Sequence, residues 1–229
     1  MCFGKFRPYG VYALTAVFRR VKWIGPKRCV IPKNVVELSI FGCTDITELP
    51  DLNHCEQFVV ERCPSFTQAP REMPKCSEFV VDFCSTFTTT PRELPSCEKF
   101  VVESCPSFTQ APRELPSCKE FVVASCPSFT QAPQELPMCE WFEVWNCVSY
   151  IQAPQELPSC ERFEVWACGS FTQAPRELPK CKVFKVWGCP FFTQAPRKLP
   201  KCKVFEVFEC PLFTTAPQVL RPSCEVNIY

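Results

Sequence analysis

The feature that most constrains this chain is a period of 21 residues. Cysteines stand at 55, 76, 97, 118, 139, 160, 181 and 202, each 21 apart. A second series at 63, 84, 105, 126, 147, 168, 189 and 210 keeps the same interval. The clearest unit reads Leu94-Pro-Ser-Cys-Glu-Lys-Phe-Val-Val-Glu-Ser-Cys-Pro-Ser-Phe-Thr-Gln-Ala-Pro112, and it recurs eight times without an insertion. A fixed period of this length marks an array in which each unit stacks on the last.

The apolar positions are as regular as the cysteines. Phe58, Phe79, Phe100, Phe121, Phe142, Phe163, Phe184 and Phe205 form one column. Val60, Val81, Val102, Val123, Val144, Val165, Val186 and Val207 follow two residues later. That spacing is the period of a strand with one buried face. Phe66, Phe87, Phe108, Phe129, Tyr150, Phe171, Phe192 and Phe213 make a third column, and Met73 with Leu94, Leu115, Leu136, Leu157, Leu178, Leu199 and Leu220 a fourth. Burying four such side chains contributes roughly 6–12 kcal/mol. Ordering the backbone costs on the order of 1–2 kcal/mol per residue, so one unit cannot fold alone. Stacked units share a core and pair their strands.

Proline shapes the rest of the unit. It follows the second cysteine in most copies, as at Pro106, and returns at Pro112 and Pro116. A regular helix does not fit between Pro106 and Pro112, whereas polyproline or 3₁₀ turns do. No proline enters the Phe-x-Val segment, as a hydrogen-bonded strand requires.

This pattern resembles a leucine-rich repeat. The family frame is Leu-Pro-x-x-Leu-x-x-Leu-x-Val-x-x-Asn-x-Leu, with Cys replacing Asn in some variants. The nearest copy is Ile31-Pro-Lys-Asn-Val35-Val-Glu-Leu38-Ser-Ile40-Phe-Gly-Cys43-Thr-Asp-Ile46-Thr-Glu-Leu49-Pro50. Later copies keep its register, with Phe100 for Leu38, Val102 for Ile40, Cys105 for Cys43, Phe108 for Ile46, Ala111 for Leu49 and Cys97 for Val35. The resemblance implies a leucine-rich-repeat solenoid, a horseshoe or arc with one short parallel strand per repeat. It implies an irregular convex side of polyproline and 3₁₀ turns and little helix. The expected division is an N-terminal basic cap over 1–30, the solenoid over 31–224, and a tail or truncated repeat over 225–229.

The cap is expected to be helical, because Leu14, Val17, Phe18 and Val21 recur at helical spacing before Gly25-Pro26. A basic docking arm is the alternative reading. Val11–Phe18 is too short, and too closely followed by Arg19 and Arg20, to be expected as a signal peptide. No run of 18 apolar residues predicts a membrane span. At the other end, the last strand is an edge open to self-association.

With 20 cysteines in 229 residues, three roles compete for the thiols. As small buried hydrophobes they need no partner. Disulfides between stacked strands face a Cβ separation near the full strand spacing. A zinc site is disfavoured by the eight-residue spacing within a unit and by the single histidine, His54. Core thiols are the expectation, with no metal, no cofactor and an intracellular, cytoplasmic setting.

Charge and the strand's outward positions bear on function. The chain has 25 basic and 24 acidic residues, but the first 33 residues hold eight basic and no acidic ones. The remainder carries a net charge of −7, which does not suit nucleic acid. One outward column runs Glu61, Asp82, Glu103, Ala124, Trp145, Trp166, Trp187 and Phe208. Another runs Val59, Val80, Val101, Val122, Glu143, Glu164, Lys185 and Glu206. Aromatics in line suit partner contact, although stacking on one another would also explain them. The expected site is therefore Trp145, Trp166, Trp187 and Phe208 with Glu143, Glu164, Glu206, Glu61, Asp82 and Glu103. The expected function is a non-enzymatic scaffold for a protein or peptide bearing basic and apolar groups. A surface or secreted glycan-binding adhesion protein is the alternative. The Gln68, Gln110, Gln131, Gln152, Gln173 and Gln194 column is expected to form an amide ladder.

Overall fold

In a computed structural model, which describes residues 20–25 and 31–229, the chain is a parallel β-solenoid of about ten turns. Each turn takes about 21 residues and contributes one five-residue strand to a common sheet. The strands are β1 Arg20–Ile24, β2 Glu37–Phe41, β3 Gln57–Glu61, β4 Glu78–Asp82, β5 Lys99–Glu103, β6 Glu120–Ala124, β7 Trp141–Trp145, β8 Arg162–Trp166 and β9 Val183–Trp187. After them come the short β10 Lys198–Leu199, then β11 Val204–Phe208, the short β12 Val219–Leu220 and β13 Glu225–Ile228. All but β10 and β12 form an 11-stranded sheet in sequence order, and β10 pairs with β12. Pairing is in register throughout, so Phe58 lies opposite Phe79 and Val60 opposite Val81.

The core follows the four sequence columns. The first phenylalanine column stacks ring on ring, with centroids 5.2 Å apart at Phe58–Phe79 and 5.4 Å at Phe100–Phe121. The second stacks beside it, at 5.6 Å for Phe66–Phe87 and 5.5 Å for Phe129–Tyr150. Offset-stacked rings contribute about 0.5–1.5 kcal/mol per pair beyond their buried area. The leucine column and both cysteine columns close the core around them.

The cysteines of the two columns are free thiols with backbone tasks. Cys76 and Cys97 of the first series donate Sγ–H to the carbonyls of Glu78 and Lys99, where a strand begins, at 3.2 Å. Those of the second series reach back one coil, as Cys126 does to Val102 O at 3.7 Å and Cys168 to Val144 O at 3.6 Å. A residue small and apolar enough for the core, yet able to donate weakly, suits both columns. Burial pushes most of the column thiols up from an ordinary value of 9.0, to about 12 at Cys55, Cys118 and Cys160, whereas contact with the Cys84 thiol lowers Cys63.

Three results differ from the sequence expectations. The proline-rich side is less irregular than expected. Among the described residues it shows turns and isolated parallel bridges rather than 3₁₀ helix. Gln110 bridges Gln131, and Glu114 bridges Glu135, giving each coil further lines of backbone pairing. The glutamine column is thus tied by its backbone, and its side chains are exposed.

The second difference lies near the N-terminus. Val21, expected on a helical stripe, belongs instead to β1, which pairs with β2. Val21 and Trp23 alternate toward the core while Arg20, Lys22 and Ile24 face outward. A waiting sheet edge rewards that two-residue alternation over the helical spacing. The rest of the expected cap lies outside the described residues. At the far end β13 pairs with β11, so the sheet extends into the segment beyond residue 224.

The third difference is a corner that the sequence hides. Gly42, Arg62, Phe83, Ser104, Ser125, Asn146, Ala167, Gly188 and Glu209 all have φ between 48° and 66°. Each precedes Cys43 or a cysteine of the second series and donates its N–H across to the next coil, as Ala167 does to Trp187 O at 2.7 Å. Only two of these nine positions are glycine, so the usual sign of a left-handed turn is missing.

Candidate partner-binding face

An all-parallel sheet is ordinarily covered on both faces. Here one face packs on the core, and the other carries the alternate side chains of every strand. Three columns reach it rather than two. Trp141 has the same parity as Glu143 and Trp145, since Phe142 points inward. The residue preceding each inward phenylalanine was therefore readable as part of the face, and the sequence reading passed over it.

The structure brings the predicted residues into register. Glu61 lies opposite Asp82, and Asp82 opposite Glu103. Glu103 pairs with Ala124, and Ala124 with Trp145. Trp145, Trp166, Trp187 and Phe208 continue the same line. Within this line the aromatics are not equivalent. Trp166 and Trp187 stack at 4.7 Å and are only partly exposed, while Trp145 and Phe208 are each 39% exposed. The indole N–H groups of Trp166 and Trp187 are buried without an acceptor.

The acids divide as well. Glu164 departs from the open position expected of it. It is 2% exposed, and Arg162 Nε donates to it at 2.9 Å. Glu206 is paired with Lys185 Nζ at 2.9 Å, and Lys185 also lies over the Trp187 ring. Glu164 and Glu206 are thus each answered by a cation of the same chain. On the early half, Glu61, Asp82 and Glu103 form no ion pair among the described residues. Burial raises the carboxyls of Asp82 and Glu103 above their ordinary range, and the neighbouring charge of Glu61 and Asp82 respectively adds to it. Glu143 is raised by burial and by Glu164, while it accepts a hydrogen bond from Trp141 Nε1 at 3.0 Å.

These residues frame a hollow of about 410 Å³ over β3–β7. Val59, Val80, Val101 and Val122 form its floor, Trp141 and Trp145 its end wall. The acidic column forms one side, and Glu78 with the Lys99–Glu120 ion pair the other. Trp141 is held across the wall by Arg162, whose guanidinium lies 5.1 Å from its ring centroid. The arrangement can hold an apolar ligand surface along its floor and positive charge along its flank.

No family model and no curated protein matches the chain. The repeat and the solenoid therefore rest on the sequence period and the coordinates together. Among the described residues no helix is long and apolar enough to cross a membrane.

Proposed function

We propose that the chain is a non-enzymatic scaffold that binds a basic, partly apolar protein or peptide on its open strand face. The observation that carries this reading is the hollow over β3–β7, where an apolar floor and exposed indoles adjoin a column of carboxylates that form no ion pair among the described residues, Lys99 being paired with Glu120 instead. Like charges stacked at strand spacing are unfavourable unless something positive answers them. A cationic partner lowers the raised Asp82 and Glu103 carboxyls and gains from a partly desolvated setting. Tryptophan beside charge is a frequent composition of binding hot spots. The stacked Trp166–Trp187 pair lies outside the residues that line the hollow and is no part of the proposed contact.

The same proposal takes the solenoid to be a leucine-rich repeat. Leu38, Ile40 and Cys43 point inward as the family frame requires, and the later copies substitute Phe, Val and Cys in that register. An intracellular, reducing setting fits columns of buried thiols that donate to backbone carbonyls.

The test is a titration of the full chain with short peptides containing arginine and leucine, and with counterparts in which glutamate replaces arginine. Binding of the basic set alone, weakened by added salt and by Glu103→Gln, is expected. Equal binding of both sets would remove the role given to the acidic column.

A further inference from the structure

We infer that the hollow over β3–β7 takes a polyproline-II peptide with a basic residue at every third position, lying across the strands. This rests on the proposed function and adds the conformation and spacing of the ligand. Glu61, Glu103 and Trp145 stand on alternate coils of one register column, with Asp82 and Ala124 between them. Neighbouring strands lie about 4.8 Å apart, so alternate coils repeat at about 9.6 Å. A polyproline-II helix advances about 9.3 Å per three-residue turn, returning the same side of the peptide to the same face. An extended strand returns its side chains at about 6.7 Å, and two turns of α-helix overshoot at about 10.8 Å. Among regular backbones, the polyproline form alone keeps step with alternate coils.

The chemistry along the column agrees with the spacing. Two basic side chains meet Glu61 and Glu103, and Asp82 lies between them within reach of either. Ala124, one coil before Trp145 in the register column, is fully buried and brings no charge to this end of the hollow. A proline ring packs on the exposed Trp145 indole, the contact by which aromatic-lined grooves recognise this conformation. Its fixed backbone lowers the ordering cost of binding across a long, shallow surface.

The experiment compares two peptides of the same composition by fluorescence anisotropy with the full chain at low salt. One is a repeat of Arg-Pro-Pro, and the other has its arginines in a block followed by its prolines. The repeat is expected to bind about tenfold more tightly, a difference of about 1.4 kcal/mol. Glu103→Gln is expected to remove most of that preference, while Glu93→Gln on the opposite side leaves it. Circular dichroism and a urea titration show that both variants fold. Equal affinity for the two peptides overturns the spacing argument while leaving a basic, apolar partner in place. Failure of both peptides, together with failure of the arginine–leucine set, overturns the binding face itself.

Discussion

Trp166 and Trp187 stack with ring centroids 4.7 Å apart, yet neither indole N–H has an acceptor. The pair gains from ring contact and loses from two desolvated donors. Trp187→Phe keeps much of the contact and removes one orphaned donor, so stability is expected to hold or rise. Trp187→Ala removes the contact and is expected to lower stability by about 1–2 kcal/mol. Urea unfolding measures both, and loss of an exciton signal in circular dichroism reports the broken stack.

Tyr150 sits in the second aromatic column between Phe129 and Phe171, fully buried, with no partner for its hydroxyl. Burial pushes that hydroxyl well above its ordinary range, so it stays protonated. Tyr150→Phe removes a buried, unsatisfied group and is expected to stabilise by about 1–2 kcal/mol. A lower urea midpoint would mean that the hydroxyl has a partner.

The left-handed corner before each second-series cysteine gives a sign-specific prediction. Ala167 holds φ at 51°, and a side chain there costs about 1–2 kcal/mol. Glycine loses about 0.5–1 kcal/mol of that gain through its unfolded-state freedom. Ala167→Gly should therefore stabilise by about 0.5–1 kcal/mol, and Gly188→Ala, at φ 60°, should destabilise. Opposite signs in thermal unfolding would place the corner elsewhere.

Those corners show which parts of the fold were legible beforehand. The coil length, the strand and the buried columns follow from a period that repeats without error, because neighbours one coil apart are the same residue in the same register. The corner was hidden because its position carries Arg, Phe, Ser, Asn, Ala and Glu as well as Gly. β1 was misread because four apolar residues at helical spacing say nothing of the sheet edge waiting for Val21 and Trp23. The site was legible as columns but not as charges. Glu164 and Glu206 read like Glu61 and Glu103, and only the folded chain brings Arg162 and Lys185 against the first two. Trp141 was readable from strand parity alone.

The thiol columns make the fold sensitive to alkali. Burial raises Cys55, Cys105, Cys118, Cys147, Cys160 and Cys189 from 9.0 to about 12. Below pH 9 both folded and unfolded chains keep these protons, and the stabilisation is fully present. Above it the unfolded chain releases them first, so stability falls until the folded thiols ionise. Each thiol contributes up to about 1.4 kcal/mol per pH unit over that window. Cooperative unfolding between about pH 9 and 12 is expected, with slow reaction of the column cysteines toward thiol reagents at neutral pH. Rapid labelling at the sixteen column positions, as distinct from the partly exposed Cys224, would contradict the burial of both columns.

The most direct test of the binding face follows the five tryptophan indole N–H signals by nuclear magnetic resonance during titration with a basic, proline-rich peptide. Trp141 and Trp145 line the hollow. Trp166 and Trp187 have their N–H groups buried, and Trp23 lies on β1 with its N–H donating to Gly25 O. Saturable shifts at Trp141 and Trp145, with Trp23 unmoved, are the predicted result. Shifts spread evenly over all five, or confined to Trp23, would contradict the account.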